Sequence, residues 1–166
     1  VLVHGVFFRD MRLLSYWGRI PRALLENGAT LYYGEQQSAA SVADSGQELA
    51  ARIRQIVDTT GCEKVNVVAH SKGGLDARYA ISCLGMDAYV ASLTTINTPH
   101  RGCLFAEYLL NKAPAGLLRR VAHTYNRAFR RLGDENPDFV KAVTDLTNSR
   151  CAELNALMPD KAGVYY

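Results

Sequence analysis

VNVVAHSKGG at 65–74 decides the fold. The β-branched residues Val65, Val67 and Val68 read as a short strand, and the GLDARYAIS that follows reads as a helix. Between them lies small-x-Ser-x-Gly, with Ala69, Ser71 and Gly73 at the defining positions. Strand, tight turn and helix in that order are the context of a nucleophile elbow, where a serine is carried on a sharp, strained turn at the top of a sheet. The turn needs small residues because strand and helix approach closely. The first small position is usually Gly, so Ala69 makes this a variant of the pattern, by one methyl group. The bland alternative is a serine in an ordinary βα turn, and the strand before and helix after weigh against it.

The chemistry explains the geometry. A serine hydroxyl is a poor nucleophile until a base takes its proton, and the sharp turn holds Oγ where base and substrate can both reach it. The next backbone N–H, that of Lys72, falls at a helix start, where unpaired N–H groups favour a developing negative charge. The chain opens VLVHGVFF, an apolar strand at 1–3 followed by His-Gly, and the oxyanion hole of such folds takes its second N–H from the loop after that strand. Gly5 lets the backbone bend inward, so the Val6 N–H is the candidate donor. His4 precedes the serine, the wrong chain order for a base in this architecture, and reads as a buried structural histidine.

Outward from the elbow, strands and helices alternate. The strand at 1–3 leads to a helix near 15–27, with Tyr16, Ile20, Leu24 and Leu25 on one face, Gly28 as a stop and Pro21 expected to kink or divide it. Then come a strand at 29–33 and a helix near 43–60, with Leu49, Ile53, Ile56 and Val57 at helical spacing and Gly61 as cap. The strand at 64–69, a helix at 73–84 and a strand at 90–96 complete the series. This alternation predicts an α/β fold with a mostly parallel sheet and helices on both faces. Lys72 and Asp76 stand four apart and are expected to pair in solvent across the first turn of helix 73–84.

The chain resembles the bacterial true lipases, the family I triacylglycerol lipases of the α/β-hydrolase fold. The matching stretches are VLVHG at 1–5, DMRLLSYWGRIPRALLENGATLYY at 10–33, SVADSGQELAARIRQIVDTTG at 41–61, VNVVAHSKGGLDARY at 65–79 and INTPHRG at 96–102, with a weaker match in DLTNSRCAELNALMPD at 145–160. The resemblance implies that Ser71 is the acylated nucleophile, that Val6 and Lys72 supply the oxyanion N–H groups, and that substrates are water-insoluble or medium-chain esters. Secretion is implied by the resemblance alone. No cofactor is expected, and any calcium ligands of the family would lie in a C-terminal part beyond this chain.

One departure is large. In an α/β-hydrolase the triad runs Ser, then Asp or Glu, then His. After Ser71 the only histidines are His100, in NTPHRG just past the strand at 90–96, and His123, inside a predicted helix. With Val1 on a strand and GVYY at 163–166 reading as the start of another, the sequence reads as a partial α/β-hydrolase domain lacking base, acid and last strands. The alternative is a compact variant that recruits His100 or His123 with Asp134, Glu135 or Asp138. Some lipases of other families place the acid after the strand that follows the nucleophile strand; here that site reads Asn97-Thr98, and Asn cannot carry the charge that stabilises an imidazolium. A further alternative is a catalytically incomplete hydrolase-like domain that binds lipid or a partner.

The region 102–140 interrupts the alternation and is expected to form a lid. Leu117, Leu118, Val121, Ala122, Tyr125, Ala128, Phe129 and Leu132 fall on one helical face, with Arg119, Arg120, Arg127, Arg130 and Arg131 filling the rest and Gly116 and Gly133 as hinge or cap. Over 101–131 seven Lys or Arg stand against one acid, Glu107, giving +6, while the rest of the chain sums to −3. An apolar face beside an arginine-rich one suits transient contact with an oil–water interface or membrane surface through 117–132, or a cap packed permanently on the core. Leu104, Phe105, Tyr108 and Leu109 are candidates for an acyl-chain wall or plain core. A flat basic surface for nucleic acid is not indicated. No run approaches the ~18 apolar residues of a membrane span. Cys62, Cys83, Cys103 and Cys151 show neither CxxC nor metal spacing and read as free thiols, with Cys83 and Cys103 in apolar, buried-looking stretches.

Overall fold

The computed structural model describes residues 1–6 and 16–166. Three parallel strands form the sheet in the order β1 (Leu2–Val3), β2 (Val65–His70), β3 (Val90–Ile96), with β2 central. Two further segments lie alongside at the edges. Tyr33 bridges Leu2 beyond β1, and Tyr165 bridges Ser92 beyond β3, both in parallel sense. The strand expected at 29–33 is thus reduced to a single bridge, secured by Leu2 N–H to the Tyr32 carbonyl and Gly34 N–H to the Leu2 carbonyl, each 2.9 Å. GVYY does begin to pair: the Tyr165 carbonyl accepts from Leu93 N–H at 2.8 Å and its N–H donates to the Ala91 carbonyl at 2.9 Å.

Seven α-helices occur among the described residues. The first, α1 (Ile20–Glu26), carries Pro21 in its opening turn, so the proline starts the helix rather than kinking or dividing it. The reason is that a first-turn N–H has no intrahelical partner to lose. Tyr16 lies before α1, Ile20 and Leu25 are exposed, and residue 15 of the expected helix lies outside the described residues. The second, α2 (Val42–Thr60), is closed by Gly61 in the left-handed conformation, as its sequence predicts, and capped at its start by Ser41 Oγ on Asp44 N–H. Then follow α3 (Lys72–Cys83), α4 (Leu104–Lys112), α5 (Ala115–Arg131), α6 (Phe139–Thr144) and α7 (Asn148–Leu157).

The strand period of two sorts β2 into faces: Val65, Val67 and Ala69 are buried while Asn66, Val68 and His70 are not. The buried face packs with Leu49, Ile53 and Ile56 of α2 and Ala77, Ala80 and Ile81 of α3 in one core. A second core gathers Leu75, Ala106 of α4, Ala122 of α5, Phe139 and Val143 of α6, and Cys151 and Leu154 of α7. All four cysteines are free; Cys151 is the buried one, whereas Cys83 is exposed and Cys103 half-buried, because both lie toward the rim of the elements that carry them. No helix among the described residues is long and apolar enough to cross a membrane.

Candidate active site

The turn between β2 and α3 has the geometry the sequence predicts. Ser71 sits at φ 54°, ψ −131°, a conformation that an L-residue adopts at a cost of roughly 1–3 kcal/mol. The neighbours hold it there. Ser71 N–H donates to the Ile96 carbonyl at 2.9 Å, carrying the β2–β3 ladder one residue past the strand, and Gly74 N–H returns to the Ser71 carbonyl at 3.1 Å. A Cβ on Gly73 would meet the His4 carbonyl oxygen at 2.3 Å and that of Val3 at 2.8 Å, so only glycine lets α3 start this close to β1. Ala69 is fully buried beneath the turn.

The loop after β1 folds onto the serine. A Cβ on Gly5 would lie 2.6 Å from Ser71 Cβ, so residue 5 is in direct contact with Ser71, and Val6, the next residue, is half-buried against the second core. Tyr16 joins this loop to the elbow: Gly5 N–H donates to Tyr16 Oη at 2.9 Å, and the same hydroxyl is hydrogen-bonded to His70 Nδ1. Sequence reading gave Tyr16 only a place on a helical face. No spacing signal could have found it, since its partners stand 11 and 54 residues away.

Three of the four histidines have other engagements. His4 is 1% exposed, with Nδ1 3.0 Å from the Gly5 carbonyl, and its own carbonyl accepts from Gln36 Nε2 at 2.9 Å. It is the buried structural histidine expected. His70 faces Tyr16, and burial lowers its pKa. His100 has Nδ1 3.3 Å from Arg78 Nη1 and Nε2 3.1 Å from Thr95 Oγ1. A guanidinium only donates, so Nδ1 accepts and the proton resides on Nε2. Burial and then the Arg78 charge both lower its pKa, which opposes the imidazolium a catalytic base must become. His123 is exposed on α5.

Two of the three acids proposed for a compact variant are also in use. Asp134 is buried and accepts the N–H groups of Ser38 and Ala39 at 3.1 and 3.0 Å, Asp138 caps α6 through Lys141 N–H at 3.0 Å, and Glu135 is exposed. Among the described residues no side chain accepts a hydrogen bond from Ser71 Oγ.

Lys72 and Asp76 do pair, but the expected solvated contact is a sealed one. Nζ lies 2.7 Å from Asp76 Oδ1, with the two side chains 1% and 2% exposed, because α2 lies across the first turn of α3. Burial raises the Asp76 pKa to about 7 against the opposing pull of Lys72.

In α4, Leu104, Phe105 and Tyr108 are strongly exposed while Ala106, Leu109 and Leu110 join the second core, so this stretch is neither plain core nor a closed wall. In α5, Ala122 and Phe129 are buried, Tyr125 stacks on Phe129, and the arginines face solvent.

A parallel sheet, a serine in a left-handed turn between its central strand and a helix, and a glycine loop packed against that serine define an α/β-hydrolase-type protein. Consistent with this, residues 1–133 match the family described as "Putative serine esterase (DUF676)", and the chain belongs to that family. It is 33% identical to a triacylglycerol lipase of Pseudarthrobacter phenanthrenivorans, over 96% of this chain and 53% of that protein. It is likewise 33% identical to a triacylglycerol lipase of Burkholderia plantarii, over 96% of this chain and 47% of that protein. The chain thus spans about half the length of the curated relatives it matches. The fold superposes on the mature form of the Bacillus licheniformis lipase BlEst2 with a TM-score of 0.75 at 23% identity, covering 98% of this chain and 59% of that one.

Proposed function

We propose that this chain carries the nucleophile half of a carboxylester hydrolase, a triacylglycerol lipase that works through an acyl-serine intermediate. What supports the nucleophile role of Ser71 above all is its backbone at φ 54°, ψ −131° with the Gly5 loop packed on it. Ser71 Oγ attacks the ester carbonyl, and the N–H groups of Val6 and Lys72 hold the oxyanion as charge develops. The tetrahedral intermediate expels the alcohol, and water then releases the fatty acid. Proton transfers fall to a His–acid pair outside residues 1–166, a reading supported by the other engagements of His4, His70 and His100 and by the exposure of His123. The relatives are triacylglycerol lipases, which favours triacylglycerols over other acyl donors that the same elbow serves.

The segment 102–140 acts as the cap that meets lipid. Leu104, Phe105, Tyr108 and Leu117 offer an exposed apolar surface, and Arg119 and Arg120 lie exposed beside Leu117. The test of the enzyme reading is fluorophosphonate labelling of the full-length protein. Labelling lost in Ser71→Ala is expected; absence of labelling in the wild-type protein would favour instead a hydrolase-like domain that binds lipid or a partner without turnover.

A further inference from the structure

Among the described residues the most deeply buried charged side chain is that of Lys72, one residue past Ser71. All three of its ammonium protons have acceptors: Asp76 Oδ1 at 2.7 Å, Ser45 Oγ at 3.0 Å and the Ser41 carbonyl at 3.5 Å. The last two lie on the cap and first turn of α2, so one side chain bolts the start of α3 to the start of α2. The helices are built for that reach. Gly46 of α2 faces the Asp76 carbonyl, where a Cβ would approach to 3.2 Å, and Tyr79, where it would approach to 2.8 Å. The α2 start is held from its other side by Asp145, whose Oδ2 accepts Val42 N–H at 2.6 Å.

Stability alone does not account for this arrangement. A buried ion pair replaced by apolar side chains of similar volume is often neutral or better, and an ammonium in the first turn of a helix sits at the unfavourable end of the helix dipole. What hydrogen bonds offer over apolar packing is direction. An apolar contact tolerates a few degrees of helix rotation, whereas three donors aimed at three acceptors do not.

We propose that the Lys72–Asp76–Ser45 network is a positioning device for the oxyanion site, fixing the rotation of the first α3 turn and so the aim of the Lys72 backbone N–H. Lys72 thereby acts twice, its amide toward the substrate oxygen and its side chain as the anchor of that amide. The inference rests on the esterase reading for the amide's role, while the anchoring itself can be measured separately.

The experiment uses the full-length protein with the double substitution Lys72→Met and Asp76→Leu, and with Ser45→Ala, which cuts the link to α2 but leaves the ion pair. In the double variant kcat on a soluble p-nitrophenyl ester is expected to fall about tenfold with KM within about twofold, a fraction of the loss that follows removal of an oxyanion donor. Its melting temperature should stay at or above that of wild type. Amide exchange over 71–75 should accelerate about tenfold relative to 77–82, and Ser45→Ala should move both readouts the same way by less. Unchanged kcat and exchange in a folded double variant, or in Ser45→Ala if the double variant does not fold, overturn the proposal and leave the pair as core filling. If wild type is not labelled by fluorophosphonate, the esterase reading fails, and the exchange comparison still decides whether the network holds the turn.

Discussion

At the residue scale, the site depends on atoms that are missing. Gly5 touches Ser71 so closely that a methyl group at residue 5 must displace one backbone or the other. Gly5→Ala is therefore expected to lower kcat/KM on a soluble ester by about 10²-fold, since a misplacement near 1 Å is enough for such a loss. Parallel steady-state assays of both proteins check this; an effect below threefold would mean the loop does not need its present position. Asp76 supplies a pH signature. Its folded pKa of about 7 lies above the ~3.9 of an unfolded aspartate, so the folded state keeps the proton longer. The Asp76 contribution to stability is then complete below about pH 4 and lost as pH rises through about 7. Lys72 opposes this shift, and Asp145 and Glu48, facing it from neighbouring elements, reinforce it. Denaturant unfolding from pH 4.5 to 8.5 should find wild type losing stability relative to Asp76→Asn as pH rises, and a pH-independent difference would refute the assignment. Ser71, Ala69 and Gly73 were legible because the elbow is a local pattern. Tyr16 was not, because its role consists of two bonds to distant residues.

At the element scale, α5 separates what periodicity can and cannot say. The apolar face read over 117–132 is present, yet only Ala122 and Phe129 on it are buried while Leu117 and Leu132 stay exposed. Phe129 is 3% exposed, stacked with Tyr125, which in turn lies 4.9 Å from Phe139 of α6. Phe129→Ala should destabilise the protein by about 3–5 kcal/mol, measured by denaturant unfolding. Phe105 is 65% exposed, and Phe105→Ser should leave stability within about 0.5 kcal/mol while lowering adsorption to a triglyceride emulsion in a sedimentation assay. Equal adsorption by wild type and Phe105→Ser would remove α4 from the lipid-contacting surface. The strand at 90–96 was read to the residue, because a β-branched run between a helix stop and a turn has few other solutions. The strand at 29–33 was not, since strand pairing depends on how much of its neighbour is extended, and β1 offers two residues.

At the scale of the whole molecule, charge is unevenly divided, with +6 over 101–131 and −3 elsewhere. Attraction to anionic vesicles of phosphatidylglycerol should therefore weaken steeply between low salt and 0.5 M salt, as the screening length shrinks. Arg119→Glu with Arg120→Glu should reduce binding at low salt; insensitivity to both would place lipid contact on some other face. By itself, the sequence determined the helices before and after the strand at 65–70, the elbow and its serine, and the segregation of basic charge, because these follow from local spacing and from turn geometry that only small residues permit. The tertiary structure alone decided that Lys72 and Asp76 are sealed rather than solvated, that His100 is engaged by Arg78 and Thr95, and that Tyr16 ties the Gly5 loop to the elbow. The reason is physical: burial and hydrogen-bond partners are set by which elements pack across a residue, and those elements come from distant parts of the chain.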